Sequence, residues 1–576
     1  MTMKNGHDAR EAEPARSYPD LHDQLDALDK VGLLLKIDIP INKDTEIHPL
    51  MRWQFRGGLD ENDRKAMLFT NVVDAKGKKY DIPVVIGAMG GSRTIYQIGL
   101  GHPPDQVAAV WARAMNNLIP PRTVDNAPCQ QVVIEGSALD RPGCALEALP
   151  VPISTPGWDN GPYLTTSAFI TKDPDTGVQN LGNYRAQVKS PRRLGMNPSV
   201  ELKAGGYQHW LKYKALGRPM PTAVVVGLPP AIAYASVQKA PETIDEISLA
   251  GGLVGSPINV VKARTVDLMV PAEAEIVIEG YIDTEYLEPE APFGESHGHV
   301  NLAEYNGFMD VTCITRKRKA IFTSFLSQLA PSESTVMRQP GQEAIFLRHL
   351  RDHIGIKGIL HVHMHMPLIG GYRVLVLQFE RGTPQTEVWR GLYASVTVQR
   401  PSGKFVIATN DDIDPNNADA ILWAMTFRAK PHLDMQILPY REEGHGPRDK
   451  VRGSEDSSLL VNATLRQDYP PLSLPKRAYM ERARAIWEDE LKLPKLKPEA
   501  PWFGYDLGAW TDDLEHQAQL AVRGDYWETG RVIAQRRRND VKMNTEVRDV
   551  IDEPEESRNA RRGKQAAPGR ASGHEP

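Results

Sequence analysis

A multidomain α+β protein is what this sequence predicts. Three observations lead there: helical and strand-like apolar spacings alternate near the start and again in the last third, strand-like runs crowd the middle, and 576 residues exceed what one hydrophobic core organises. At 41% hydrophobic content there is enough apolar material for more than one core.

Taken in order, residues 1–18 are polar and poor in large apolar groups, so they are expected to form a disordered tail. Leu21, Leu25 and Leu28 then share a helical face before Gly32, and 33–39 is a short apolar run of strand character. A strand at 83–86 and an amphipathic helix carrying Val107, Trp111, Ala114 and Leu118 complete an N-terminal α/β domain over 19–125. From residue 126 the texture changes. Strands are expected at 131–134, 164–171, 180–188, 222–226, 259–264 and 275–282, with a hairpin turning at 316–319. Many short strands without intervening helices read as a β-rich central domain, a barrel, over 126–330. Beyond it, helices at 343–350, 387–394 and 418–428 alternate with strands at 359–366, 374–379 and 404–408, an α/β layer over 331–480. Helical patterns near 477–491 and up to Arg538 make a C-terminal helical extension over 481–545, and 546–576 reads as a second disordered tail.

Charge narrows the function classes. Lys and Arg number 68 against 73 Asp and Glu, a net charge of −5 with no long block of one sign, so no nucleic-acid partner is expected. The start has no signal-peptide apolar core, and no run reaches the roughly 18 apolar residues of a membrane span; no membrane association and a cytoplasmic location are expected. Cys129, Cys144 and Cys313 are few and far apart and read as ordinary thiols.

Two stretches stand out chemically: NLGNYR at 180–185 and EAPFGE at 290–295. Between them they offer one arginine and two glutamates on constrained backbone. An arginine fork clamps a carboxylate at two points, and two neighbouring carboxylic acids can divide charge balance and proton donation. By spacing alone, a solvated acidic loop around Glu285, Glu288 and Glu290 is the commoner arrangement, as is an exposed Arg185 paired with a neighbouring acid. The glycine-rich 87–93 lacks the spacing of a phosphate-binding loop and reads as a plain turn. His361, His363 and His365 would share one strand face, which a metal or a packed sheet could explain; with no carboxylate or thiol close in sequence, packing is the expected reading. His297 and His299, just after Glu295, are candidate supporting partners.

The order of these pieces resembles the UbiD family of prenylated-FMN-dependent decarboxylases, from about residue 20 to 540. The most specific segments are NLGNYRAQ (180–187), DEISLAGGLVG (245–255), VPAEAEIVIEGYI (270–282), EAPFGESHG (290–298) and KFVIATNDD (404–412). The resemblance implies that the central domain is a split β-barrel holding the flavin and that the C-terminal α/β domain mediates assembly into a homodimer or homohexamer. It implies catalytic roles for Arg185, which would hold the substrate carboxylate, Glu290, which would balance charge, and Glu295, which would deliver the proton replacing CO₂. Asn180, Tyr184, Arg185, Gln187, Ala235, Ser236, Glu246 and Lys404 fall at cofactor-binding positions. Asn180 and Glu246 match ligands of a divalent ion, Mn²⁺ or Mg²⁺, while Ala235 and Ser236 fall where K⁺ ligands are supplied; hard oxygen donors suit both ions. One departure is visible. The family's histidine ligand is missing from the turn at 201–206, leaving Glu201, His209 or a water for that place, with Lys203 available to neutralise phosphate.

The implied activity is reversible, non-oxidative decarboxylation of an aromatic or α,β-unsaturated acid, with a flavin prenyltransferase supplying the cofactor. Two alternatives stay open: an ordinary FMN-dependent split-barrel oxidoreductase, and a noncatalytic subunit of a larger carboxylase.

Overall fold

The structure is a computed structural model, which describes residues 15–197, 204–238, 244–290, 292–302, 304–366, 373–399, 402–442, 456–466, 469–496, 510–537 and 539. These fall in two compact units, one drawn from Met1–Gln467 and Trp487–Gly504, the other from Asp468–Ile486 and Tyr505–Pro576. The tail expected over 546–576, and most of that over 1–18, lies outside the described residues. Tyr18, by contrast, is buried and donates to Glu273 at 2.6 Å.

The first helix, Leu21–Lys30, starts where Asp20 and Asp23 cap each other reciprocally, and it buries Leu21, Leu25 and Leu28. Against it stands a four-stranded sheet ordered Leu34–Ile37, Ala66–Phe69, Val84–Ile86, Phe322–Ser324. The last strand corrects one expectation. No hairpin turns at 316–319; after Glu304–Arg316 the chain crosses to pair in parallel with Val84–Ile86. The reason is a buried ionic knot. Lys317 Nζ reaches Asp20 (2.9 Å) and Glu275 (2.8 Å), its backbone N–H donates to Glu275 (2.9 Å), and the other Glu275 oxygen accepts from Ile321 N–H (2.9 Å) and meets His22 Nε2 (3.2 Å). A charge leaves water only when it is paired, so the knot draws the chain toward the first helix.

The centre is an antiparallel ten-stranded sheet. Its main path runs Gln179–Asn183, Ala168–Lys172, Met220–Val226, Ile276–Ile282, Glu304–Arg316, Arg193–Met196, Ala186–Ser190, Tyr163–Leu164, with Glu288–Glu290 and Val132–Glu135 also pairing to Glu304–Arg316. Among the described residues the path is open and no closed barrel forms. The strand Ile276–Ile282 is buried at every position but Tyr281, which accounts for its nearly unbroken apolar run.

Helix Glu333–Arg348 links this core to the third region. Glu333 at its start accepts from the N–H groups of Gly87 (3.0 Å) and Met89 (3.3 Å), and Glu343 near its end accepts from Met364 N–H (2.9 Å). The glycine-rich stretch at 87–93 is therefore a turn, held by a buried carboxylate and followed by helix Arg93–Leu100. Beyond lies a five-stranded sheet ordered Ile359–Met364, Val374–Phe379, Phe405–Asn410, Asp456–Asn462, Met435–Arg441, parallel in its three inner strands. The second unit contributes helices Arg477–Ala485, Asp512–Arg523 and Tyr526–Gln535. Among the described residues no helix is long and apolar enough to cross a membrane.

The hydrogen bond to Glu275 raises the His22 pKa above its ordinary value, against a burial effect that lowers it. His22 binds its proton more tightly folded than unfolded. Its contribution is therefore full below about pH 6.5 and fades as pH rises through the raised value. In paired urea titrations, His22→Asn should be less stable than wild type at pH 6, with the difference closing by pH 8.5; a gap independent of pH would contradict this pairing.

Candidate active site

The stretch expected as one strand over 180–188 is two, and Tyr184 and Arg185 occupy the break. Opposite them, 165–167 are also unpaired, because Ala168 faces Asn183 whereas Leu164 faces Ala186. Three residues thus oppose two, a bulge that re-aims the side chains it contains. Tyr184 N–H still donates to Ser167 (3.1 Å), and the Ser167 hydroxyl donates back to the Tyr184 carbonyl, so the lapse in the ladder leaves these groups satisfied.

From this bulge Arg185 reaches Glu290 with two parallel bonds, Nε to Oε1 at 2.7 Å and Nη2 to Oε2 at 2.8 Å. Its Nη1 meets Glu295, and the Phe293 ring lies 5.1 Å from the guanidinium carbon. Burial opposes the Arg185 charge, but the hydrogen bonds and field of Glu290 outweigh it and raise the pKa above the ordinary arginine value. Asn197 (3.1 Å) and Asn306 (2.8 Å) also donate to Glu290, whose side chain is 1% exposed. Glu290 ends the short strand Glu288–Glu290, whose pairing sets Glu304 opposite Glu290 and Asn306 opposite Glu288, from where Asn306 reaches Glu290 diagonally.

Glu295 stands on the following turn. Its N–H donates to His299 (2.9 Å), and its carbonyl accepts from Gly298 (3.1 Å) and Leu329 (3.0 Å). Just before it, Gly294 N–H donates to Asp159 (3.0 Å), which also accepts from Thr155 N–H (2.7 Å). Within the turn, His297 Nδ1 accepts from His299 N–H (3.2 Å). The structure thus brings Arg185, Glu290 and Glu295 into one buried cluster.

A second group gathers at Asn180. Leu181 N–H donates to Glu246 (2.9 Å), the first residue of helix Glu246–Val254. Burial lifts Glu246 to about 7; the backbone N–H groups that oppose this are neutral, and neighbouring Asp245 adds to it. A carboxylate placed so, with oxygen donors nearby, fits a cation of hard type. Helix Gly205–Ala215 comes so close that a Cβ on Gly205 would lie 2.1 Å from Asn180 Oδ1, leaving room for glycine alone. His209 on that helix is buried, with Nδ1 2.8 Å from the Thr171 hydroxyl, and Thr171 faces Asn180 across the ladder. Glu201 and Lys203 lie outside the described residues. Among the described residues no three His, Cys, Asp or Glu side chains are grouped to hold a metal.

Of the other expected positions, Tyr184 is buried with its hydroxyl accepting from Gly206 N–H (3.2 Å), and Gln187 donates to Asn160 (2.8 Å). Ala235 and Ser236 end the buried helix Pro230–Ser236. Ser236 lines a small recess, partly open to solvent, together with Met89, Thr166, Asn183, Thr323 and Phe325. Lys404 is placed in the C-terminal sheet region, exposed and paired with Asp456 at 2.9 Å. Of the three histidines, His361 is exposed, whereas His363 meets Gln378 (3.1 Å) with burial lowering it to about 4, and His365 meets the Pro415 carbonyl (3.2 Å). Sequence reasoning missed Asn197, Asn306, Asp159 and the recess-lining Thr166 and Thr323. Only Phe293, inside the 290–295 motif, carried a signal.

Comparison with known proteins places three consecutive family models on the chain. Residues 25–115 match the N-terminal domain, 122–328 the Rift-related domain and 335–443 the C-terminal domain of UbiD, the 3-octaprenyl-4-hydroxybenzoate carboxy-lyase. Among solved structures, an evolved dimeric form of the UbiD-class enzyme HmfF from Pelotomaculum thermopropionicum, in complex with prFMN, is 26% identical over 80% of this chain and 98% of its own, with a TM-score of 0.68. HmfF in complex with FMN is also 26% identical, over 81% and 99%, at 0.69. The vanillic acid decarboxylase of Sedimentibacter hydroxybenzoicus, 23% identical over 83% and 99% at 0.66, shares the fold.

Because Glu290 and Arg185 are buried as a pair, removing one strands the other. Glu290→Ala should lower unfolding free energy by about 3–5 kcal/mol in chemical denaturation, and Glu290→Gln by less because the amide still accepts one bond. A loss within 0.5 kcal/mol, roughly that of a surface substitution, would show that the pair is not buried as described.

Proposed function

The chain belongs to the UbiD family, and from that premise we propose that it is a prenylated-FMN-dependent carboxy-lyase acting reversibly on an aromatic or α,β-unsaturated carboxylic acid. The observation that carries this reading is the meeting of Arg185, Glu290 and Glu295 in one buried cluster. The likeness to HmfF in complex with prFMN supports the cofactor. The ends of the central sheet path are joined by chain at 165–167 and 184–185, which supports reading that sheet as a split barrel.

Glu290 fills one edge of the Arg185 guanidinium, so a substrate carboxylate approaches the remaining edge, where Glu295 stands. Arg185 and two ionised glutamates together carry one negative charge, and an incoming carboxylate makes two. In a site where the Arg185 and Glu295 side chains are 11% and 10% exposed, that excess is relieved when Glu295 takes up a proton. Glu290 is held by the arginine fork and by two amides, all of them donors to its carboxylate. When CO₂ leaves, Glu295 returns its proton to the carbon that carried the carboxylate, and reversal runs the same transfers backward. The prenylated flavin, when bound, would accept the electron pair left by departing CO₂. Phe293 and Tyr163, with rings 4.4 Å apart, help keep water from the cluster.

Asn180 and Glu246 would hold Mn²⁺ or Mg²⁺ beside the cofactor phosphate, with the main chain at Ala235 and Ser236 offering oxygen to K⁺. The buried Glu246 carboxylate supports this assignment.

Coexpression with a flavin prenyltransferase, anaerobic purification and a screen of aromatic acids should reveal CO₂ release with deuterium from D₂O in the product. Glu295→Gln should keep the flavin and lose about 10²–10⁴-fold in kcat. Modified flavin bound without turnover of any acid would count against the activity, and a normal rate in Glu295→Gln would remove it as the acid. Glu246→Gln should lose manganese by elemental analysis and release flavin on gel filtration; undiminished metal content would take Glu246 out of the ligand set.

A further inference from the structure

The turn that carries Glu295 is clasped from a distance by the N-terminal helix Ile47–Arg56. Arg52 donates to the carbonyl of Leu329 at 2.8 Å and to that of Gln328, and Arg56 donates to Ala330. These guanidinium groups bond to three successive carbonyls of one loop. Burial and the nearby Arg56 charge lower Arg52 to about 10, still protonated at neutral pH. Leu329 itself has a φ of 42°, the left-handed region that a residue with a Cβ seldom occupies, so something must hold it there. Its carbonyl is bound by Arg52 and its N–H donates to the Glu295 carbonyl at 3.0 Å. Its side chain closes the same contact: a Cβ on Gly298, in the Glu295 turn, would lie 2.9 Å from Leu329 Cδ1. Helix Ile47–Arg56 also steadies the start of this segment, since His48 Nε2 lies 2.9 Å from the Ser324 hydroxyl.

We propose that Arg52 is a positioning residue for Glu295: by gripping the 328–330 loop it keeps Leu329 strained, and the Leu329 N–H then fixes the backbone from which the Glu295 side chain meets Arg185. The assignment rests on Glu295 being the proton donor. Without the fork, Leu329 relaxes toward ordinary φ and withdraws its N–H, and the Glu295 carboxyl gains freedom and water. A displaced acid donates less often while substrate binding through Arg185 persists. The fork matters beyond its charge, because a lysine ammonium cannot reproduce its planar, two-point geometry.

The test compares wild type with Arg52→Met and Arg52→Lys by amide hydrogen exchange and by kinetics of the flavin-loaded enzyme. Peptides covering 293–300 and 326–332 should exchange about tenfold faster in Arg52→Met, and by less in Arg52→Lys, while peptides covering 179–190 keep the wild-type rate. In the loaded enzyme kcat should fall about tenfold with KM nearly constant, and its high-pH limb should move to lower pH as Glu295 becomes better hydrated. Unchanged exchange over 293–300 would overturn the proposal, and so would faster exchange with kcat and pH limb intact. A general rise in exchange across all peptides of Arg52→Met would show a merely structural role, unless Arg52→Lys confined the change to the two segments. Exchange is read with or without turnover. A wild type that decarboxylates nothing therefore counts against the proposed activity, while the exchange still decides whether Arg52 holds the Glu295 turn.

Discussion

Burying the Arg185 guanidinium is the constraint on which the rest of the site depends. A cation taken out of water is tolerated only when its donors are matched, and Glu290 does this with two parallel bonds along one edge. Meeting that requirement organises two distant pieces of chain. A three-against-two bulge swings Arg185 out of the ladder, and the short pairing of Glu288–Glu290 with the long strand presents Glu290. Because residues 105 positions apart must coincide within hydrogen-bond distance, a slip of register in either element would leave a charge stranded.

Two glutamates of the same motif end in different surroundings. Glu290 accepts from four donors: two nitrogens of Arg185, Asn197 and Asn306. Every one of these stabilises the anion. Glu295 meets the arginine at its other edge, from a turn whose backbone is fixed by His299, Gly298 and Leu329.

The N-terminal region takes part in building this site. Helix Ile47–Arg56 grips the loop behind Glu295, and the knot of Asp20, His22, Glu275 and Lys317 draws the chain after Glu304–Arg316 into the N-terminal sheet. Strand Phe322–Ser324 consequently belongs to one sheet by pairing while Thr323 lines the recess of another. Core and site are coupled through a short piece of backbone. Glu333 and Glu343 perform a comparable task along helix Glu333–Arg348, where buried carboxylates take the N–H groups of Gly87, Met89 and Met364.

Local pattern was enough for much of the secondary structure: Leu21, Leu25 and Leu28 mark a helix, and the apolar run at 276–282 marks a strand, because such periodicities report which side chains must leave water. Motif order was enough to nominate Arg185, Glu290, Glu295, Asn180 and Glu246. Several features were out of reach. An unbroken strand pattern at 180–188 conceals the bulge, since a lapse in pairing depends on the opposing residues 165–167. The expected hairpin at 316–319 failed because Lys317 answers to Asp20, some three hundred positions earlier. Asn197, Asn306 and Asp159 are ordinary polar residues until folding sets them against Glu290 and Gly294. What the sequence by itself determined is the inventory of helices, strands and reactive groups, a matter of near neighbours. Which groups share one buried space, and which donors each carboxyl meets there, only the tertiary structure decided, because desolvation and long-range pairing exist only in the folded chain.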